Sequence, residues 1–166
     1  MNVVSPFFRA EPLDVPPPGA AVSCRLVETE PERALHFAIR HAVFVEEQGF
    51  FAGSDRDEHD AQAAHVLGFV GGVAVGAVRL YELDGAGLWK GDRLAVLGAF
   101  RRHGVGAPLV RFAVRTAGER GGHTMIAYIQ PQNVPFFERL GWRRVGDVVD
   151  YVGRPHQQME IGLAAG

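Results

Sequence analysis

A single cysteine, Cys24, stands in a chain of 166 residues, so no disulfide can close within it. Charge of one sign is equally scarce: 17 Lys and Arg against 19 Asp and Glu leave a formal net charge of −2. Such a balance makes no strong field for a polyanion, and neither nucleic acid nor membrane is expected as a partner. No apolar run approaches the roughly 18 residues that span a bilayer. The amino end, 1–10, lacks the basic flank and long apolar centre of a secretory signal, so a cytoplasmic location is expected. Internal repeats are absent, and so is low complexity outside one proline-rich segment. Several catalytic signatures are missing too. There is no Gly-x-x-x-x-Gly-Lys-Ser/Thr, no Gly-x-Ser-x-Gly elbow and no His-Glu-x-x-His. Neither a serine hydrolase nor a zinc peptidase is indicated, and no metal is expected.

What is present suits one domain with a full core. Residues 1–19 carry Pro6, Pro12, Pro16, Pro17 and Pro18, which remove backbone donors and favour extended chain. They are expected to form an arm, with Phe7 and Phe8 available to pin it to the domain or to a partner, and the domain proper is assigned to 20–166. Its organising stretch runs from Arg93 to Ala107. Leu94 to Leu97 is a short apolar run of strand type, Gly98 turns the chain, and Arg101, Gly104 and Gly106 sit at the mouth of a helical segment. In that segment Leu109, Val110, Ala113, Val114 and Ala117 recur at threes and fours, and Gly121-Gly122 end it. Glycines at alternate positions let backbone N–H groups converge on an anion beside the positive end of a helix dipole. An ordinary strand, turn and helix would look the same. The third glycine of a dinucleotide fingerprint is missing, with Leu109 in its place.

Upstream, a strand is predicted over 22–27. A helix follows from Glu28–Pro31 to about Glu47, entered through Thr29-Glu30-Pro31, with Leu35, Ile39, Ala42, Phe44 and Val45 as its apolar stripe. Residues 65–70 and 73–80 are β-rich, and Gly71-Gly72 between them is a hairpin signal. Downstream, 123–130 is a strand, and 143–151 pairs with 156–163 across Gly153-Arg154-Pro155. Phe100 and Trp142 are expected in the core. Between the helix and the first hairpin lies Ser54 to Asp60, with acids at Asp55, Asp57, Glu58 and Asp60. On charge patterning alone this is a solvated loop.

Two motifs at matching separation resemble the GNAT superfamily of CoA-dependent N-acyltransferases. Arg101-x-x-Gly104-x-Gly106, after Leu94-x-Val96, is similar to that family's acyl-CoA loop. Asn133-Val134-Pro135-Phe136-Phe137-Glu138-Arg139-Leu140-Gly141-Trp142 resembles its Asn-x-x-x-Phe-Tyr-Glu-Arg-Leu-Gly-Phe segment. Val43 to Gln48, Ser54 to Asp60, Gln132-Asn133-Val134 and Pro155-His156-x-x-Met159 are similar to one bacterial branch, a nitrogen-starvation N-acetyltransferase-like group. The likeness covers residues 22–163.

The resemblance implies an α+β fold: a GNAT-like mixed, mostly antiparallel sheet of six or seven strands flanked by helices. It implies acetyl-CoA as acyl donor. The backbone of Leu94, Ala95 and Val96 would pair with pantetheine, and the loop of Arg101, Arg102, His103, Gly104, Val105 and Gly106 would hold the pyrophosphate. Asn133 would fix that loop, touch the CoA arm, or simply cap a helix. Phe137 stands where the family often has a tyrosine that protonates the departing thiolate. It can pack but cannot donate, which leaves water, Tyr128 or no acid at all. The expected reaction is direct transfer in a ternary complex to an amine, either a small molecule or a protein amino group. An alkylammonium with a pKa of about 10.4 must first lose a proton, and Glu47, Asp57 and His65 are the candidate bases, in that order. Each has a quieter reading, as a surface acid at a helix end, a turn former and a half-buried strand residue. Asp57, Glu58, Asp60 and His65 fall on an acidic run of the same branch, and a cationic amine would find complementary charge there. A homodimer is possible, since dimers are common in the superfamily. A non-catalytic acyl-CoA binding or sensing module is the alternative reading, and an interaction domain working through the arm is a third.

Overall fold

A computed structural model describes residues 19–164; the arm expected over 1–19 lies, Gly19 apart, outside the described residues. Strand β1 spans Val22–Leu26 and helix α1 spans Glu30–Arg40. Thr29 caps α1: its hydroxyl oxygen accepts from the Glu32 amide at 3.3 Å, and the Glu32 carboxylate accepts from the Glu28 amide in return. Pro31 lies in the first turn, where a missing N–H costs nothing. The rod then continues to Glu47 as a π-helix, His41–Glu47, and not as the α-helix expected. The wider turn changes which residues face the sheet. Ile39 and Val43, four apart, are buried, whereas Ala42 is only partly so.

Strands β2 (Ala64–Val70) and β3 (Val73–Glu82) form the expected hairpin. Gly71 and Gly72 take φ of 55° and 82°, the pair of positive values that matches a tight turn to the twist of its strands. Strand β4 is Leu88–Val96, helix α2 is Gly106–Glu119, strand β5 is Thr124–Ile129 and helix α3 is Val134–Arg139. The strand expected over 143–151 is broken into β6 (Arg143–Arg144) and β7 (Val149–Tyr151). Gly146 turns the chain at φ 67°, and the Gln157 side-chain amide donates to the carbonyls of Val145 and Gly146. Strand β8, Arg154–Gly162, completes the sheet.

The strand order is β1-β2-β3-β4-β5-β8-β6, with β7 also on β8, and every pair is antiparallel except β4 with β5. One apolar layer joins α2, through Leu109 and Val110, to Val66, Val78, Leu80 and Met125 on one face of the sheet. The other joins Ile39 and Val43 to Leu67, Ala77 and Ala95 on the opposite face. Phe100 and Trp142 are buried in the first layer, as expected. Among the described residues no helix is long and apolar enough to cross a membrane.

Helix α1 also buries His36, whose Nε2–H donates to the Val78 carbonyl at 3.1 Å. Burial keeps the ring neutral, its pKa pushed down to about 3 from 6.5. Between those values the unfolded chain binds a proton at this site that the folded chain refuses. Folding stability contributed by His36 is therefore present above pH 6.5 and is lost as pH falls toward 3. Denaturant unfolding of His36→Gln across this window is expected to show a shallower pH slope, by about 1.4 kcal/mol per pH unit, than the parent. An unchanged slope would mean that the folded chain carries a charged His36.

Candidate active site

Strands β4 and β5 run parallel, yet their pairing covers only Leu88 with Thr124, Trp89 with Met125 and Lys90 with Ile126. Beyond Lys90 they part. The cause lies in β4, where Arg93 takes φ of 53° and the register against β3 shifts between Ala77 and Arg79. A bulge at that point bends the far half of β4 and re-aims its backbone. The Leu97 N–H donates to the Val75 carbonyl on β3. Amide directions alternate along a strand, so the N–H groups of Val96 and Leu94 point the other way, into the gap. An extended ligand can pair there as an added strand.

The gap is a cleft of about 960 Å³, its open mouth included, and it is lined from both faces of the sheet. Val110, Ala113, Phe137 and Trp142 wall it on the α2 face, and Phe44, Phe50 and Phe51 on the α1 face. Asn133 holds the N-cap position of α3 without a side-chain capping bond and lines the cleft, so of its expected roles the cap falls away. Phe137 packs edge-to-face against Phe136 and Trp142, at 5.3 and 5.5 Å between ring centres.

At the end of β4, Gly98–His103 coils into a short 3-10 helix, and Gly104 takes φ 70° to turn the chain into α2 at Gly106. Val105 holds the N-cap position, and its side chain has no acceptor to offer the first turn. The leading amides of α2 therefore keep donors and a positive dipole end that suit a phosphate. Gly104 is explained by its positive φ. Gly106 is not: its φ is ordinary, and a Cβ there would meet only Phe136 Cζ at 3.5 Å. Among the described residues no neighbour demands a glycine at 106, and the bare backbone there leaves room for close approach of a ligand.

The acidic run is not a solvated loop. Arg40 of α1, wholly buried, donates from Nε to Asp55 at 2.7 Å and from Nη1 to Asp60 at 2.7 Å. Arg79 of β3, also wholly buried, donates to Asp57 at 2.6 Å and to Asp92 at 2.7 and 2.8 Å. Arg93 reaches Asp55 at 3.2 Å and Asp57 at 3.3 Å, and the Lys90 ammonium lies 3.9 Å from Asp92. Four carboxylates thus meet four cations. Burial pushes the Asp57 and Asp60 carboxyls up, but Arg79 and Arg40 outweigh it and hold both below the usual carboxylate range. His65 Nε2–H donates to Asp60 at 3.0 Å, while burial keeps the ring below its ordinary pKa.

This network corrects the expectation that Asp57 and Asp60 complement a cationic amine, because their charge is already matched; Glu58 is exposed and stands outside the network. It also decides where the three expected bases stand. Asp57 and His65 belong to the network and do not line the cleft. Glu47 lies beside Gly98, pairs with Arg101 of the loop and does not line the cleft either. The titratable side chains on the wall are Asp92, Arg93, Tyr128, Tyr151 and His156. His156 is 4% exposed, and its Nδ1–H donates to the Arg154 carbonyl at 2.9 Å. In the neutral ring that bond leaves the lone pair on Nε2. The Pro155-His156 signal was visible in the sequence only as a branch marker, since the pairing of β8 with β5 is what carries His156 to the gap.

An open, mostly antiparallel sheet parted at one parallel pair, with a glycine loop and a helix end at the gap, defines an acyltransferase of the CoA-dependent class. The acetyltransferase (GNAT) family model matches residues 28–142, and the chain belongs to that family. A Bacillus subtilis (strain 168) protein described as a candidate acetyltransferase is 34% identical over 133 residues, 77% of this chain and 89% of its own length. A candidate N-acetyltransferase from Lactobacillus plantarum superposes with a TM-score of 0.78 at 26% identity, over 86% of this chain and 99% of its own. An aminoglycoside 6'-N-acetyltransferase complexed with coenzyme A shares the fold at a TM-score of 0.69 and 16% identity, over 86% of this chain and 96% of its own.

The two loop glycines separate experimentally. Gly106→Glu adds bulk and negative charge where the folded backbone tolerates a side chain. It is expected to weaken CoA binding by calorimetry at least about 30-fold with the thermal midpoint almost unmoved. Unchanged CoA affinity would remove the cradle assignment.

Proposed function

We propose that this protein transfers an acyl group, acetyl in the simplest case, from CoA to an amine by direct attack within a ternary complex. The observation that carries the reading is the parting of β4 from β5 after Lys90 and Ile126, beside a loop built to take an anion. The pyrophosphate lies on the amides of Gly104 to Gly106, with Arg101, Arg102 and His103 on the same loop. Pantetheine pairs with the backbone of Leu94 to Val96 and passes Asn133 and Phe137. The thioester then reaches the gap, where the Val96 N–H is aimed at the oxygen that gains charge.

The acceptor enters from the α1 face. His156 Nε2 takes the proton that the ammonium must lose, directly or through water. The amine lone pair forms the N–C bond, the C–S bond breaks with its electron pair on sulfur, CoA leaves as a thiolate, and the second proton on nitrogen passes to that thiolate or to water. With a thiol pKa of about 8.5 that leaving group needs no obligatory acid, which fits a phenylalanine at 137. Glu47 positions Arg101, while Asp57 and His65 hold the framework behind Arg93.

Free-thiol release from acetyl-CoA with a panel of amines tests the scheme. His156→Asn keeps a donor for the Arg154 carbonyl but loses the base, and is expected to lower kcat by about a hundredfold or more with CoA affinity unchanged. Glu47→Gln is expected to stay within about threefold in kcat; a hundredfold loss would return the base role to Glu47. Phe137→Tyr is likewise expected to change turnover by less than about threefold, and a hundredfold gain would show that an acid had been missing. CoA binding without thiol release from every amine would replace the transferase with a sensing module.

A further inference from the structure

The α1-face mouth of the cleft is built of rings. Phe50 and Phe51 meet at 5.1 Å, Phe44 and Phe51 at 6.4 Å, and Phe50 and His156 at 5.9 Å between centres. Tyr128 and Tyr151 stack at 4.6 Å beside them, and Tyr151 turns its edge to His156 at 5.2 Å. Among the described residues the cleft wall carries one carboxylate, Asp92. It is committed: its two oxygens receive Arg79 at 2.8 and 2.7 Å, with Arg93 and Lys90 at 3.8 and 3.9 Å. A polyamine or an aminoglycoside would bring several ammonium groups into this mouth and find no unmatched negative charge. The walls suit an acceptor with one amine on an aromatic or large apolar body.

One cation at the rim is placed differently from those in the network. The Arg154 guanidinium is exposed, lies 4.6 Å over the Phe50 ring, and donates from Nη2 to the Gln48 carbonyl at 3.3 Å. Among the described residues it has no carboxylate partner. The ring and the Gln48 carbonyl hold the guanidinium in place, while most of its five N–H donors stay available as a planar fork of the shape a carboxylate fits. The Arg154 carbonyl is also the acceptor that fixes the His156 ring. Guanidinium and imidazole thus flank one phenyl ring, Phe50, two residues apart on β8.

Resting on the transferase reading above, we propose that the acceptor is an amino acid with an aromatic or large apolar side chain. Arg154 binds its carboxylate, the rings of Phe44, Phe50, Phe51 and Tyr151 bind its side chain, and His156 faces its amine. The product is an N-acylated amino acid and free CoA, with one ammonium proton passed to His156 and the second to the departing CoA thiolate.

Matched acceptors that differ only in the carboxylate test this: phenylalanine against phenethylamine, and tryptophan against tryptamine, with spermidine and kanamycin as polycations. Thiol release from acetyl-CoA is followed for the parent and for Arg154→Gln, whose substitution at an exposed position is expected to leave the circular dichroism spectrum unchanged. The parent is expected to favour each amino acid over its decarboxylated partner by about tenfold or more in kcat/KM. Arg154→Gln is expected to raise KM for phenylalanine by about tenfold with kcat little changed, and to leave phenethylamine unaffected. Equal use of both members of a pair, an equal effect of Arg154→Gln on both, or preference for spermidine or kanamycin would overturn the acceptor assignment while the transferase stands. CoA binding with no thiol release from any of these amines would overturn both.

Discussion

A guanidinium with no access to water holds the catalytic end of the sheet together. Arg79 sits on β3 at the register shift opposite the Arg93 bulge, and it grips Asp92 on β4 and Asp57 in the preceding loop at once. Taking such a charge out of water costs several kcal/mol, and that cost is offset only when every donor finds a well-placed acceptor. Here it does, because Arg40 and Arg93 bring Asp55 and Asp60 into the same cluster and balance it. With Asp92 and Asp57 both tied to Arg79, straightening β4 would break ion pairs that water does not replace. The bulge, and with it the parting of β4 from β5, is thereby locked into the fold.

An internally neutral cluster has a chemical consequence. The cleft beside it feels little net field from its acids, so in the proposed scheme polarisation of the thioester carbonyl is assigned to oriented backbone dipoles such as the Val96 N–H. Once a ligand fills this ring-lined cleft those dipoles act more strongly than they would in solvent, and they need no rearrangement as charge develops. In the proposed scheme proton acceptance falls to His156, whose ring is oriented by the Arg154 backbone carbonyl and not by a carboxylate.

Much of this was legible in the chain because the signals were local. The Thr29-Glu30-Pro31 helix entry, the Gly71-Gly72 turn and the Gly104 to Gly106 loop each declare themselves within a few residues, and each stands where the sequence put it. The acidic run was misjudged because its meaning lies with Arg40 and Arg79, which are 15 and 22 residues away from Asp55 and Asp57. No local pattern tells a matched carboxylate from a solvated one. His156 was passed over for a similar reason: β5 pairs on one side with β8, skipping β6 and β7, so only the topology brings that ring to the gap. The π-helix at His41–Glu47 escaped because its apolar residues also satisfy an ordinary helical period.

The two-faced cleft also bears on the order of events. A relay through an acyl-enzyme needs a nucleophile on the wall, usually a cysteine, serine or threonine. The side chains lining this cleft include none of the three, and Cys24 lies on β1, at the edge of the sheet and four positions from β5 in the strand order. Burial moreover raises the Cys24 thiol, against the pull of Arg115, which makes it a poorer nucleophile still. In the proposed scheme donor and acceptor approach from opposite faces and need no such relay, since neither must leave before the other enters. The wall's composition thus supports the direct transfer proposed above, in which the donor's own thioester is the activated acyl group.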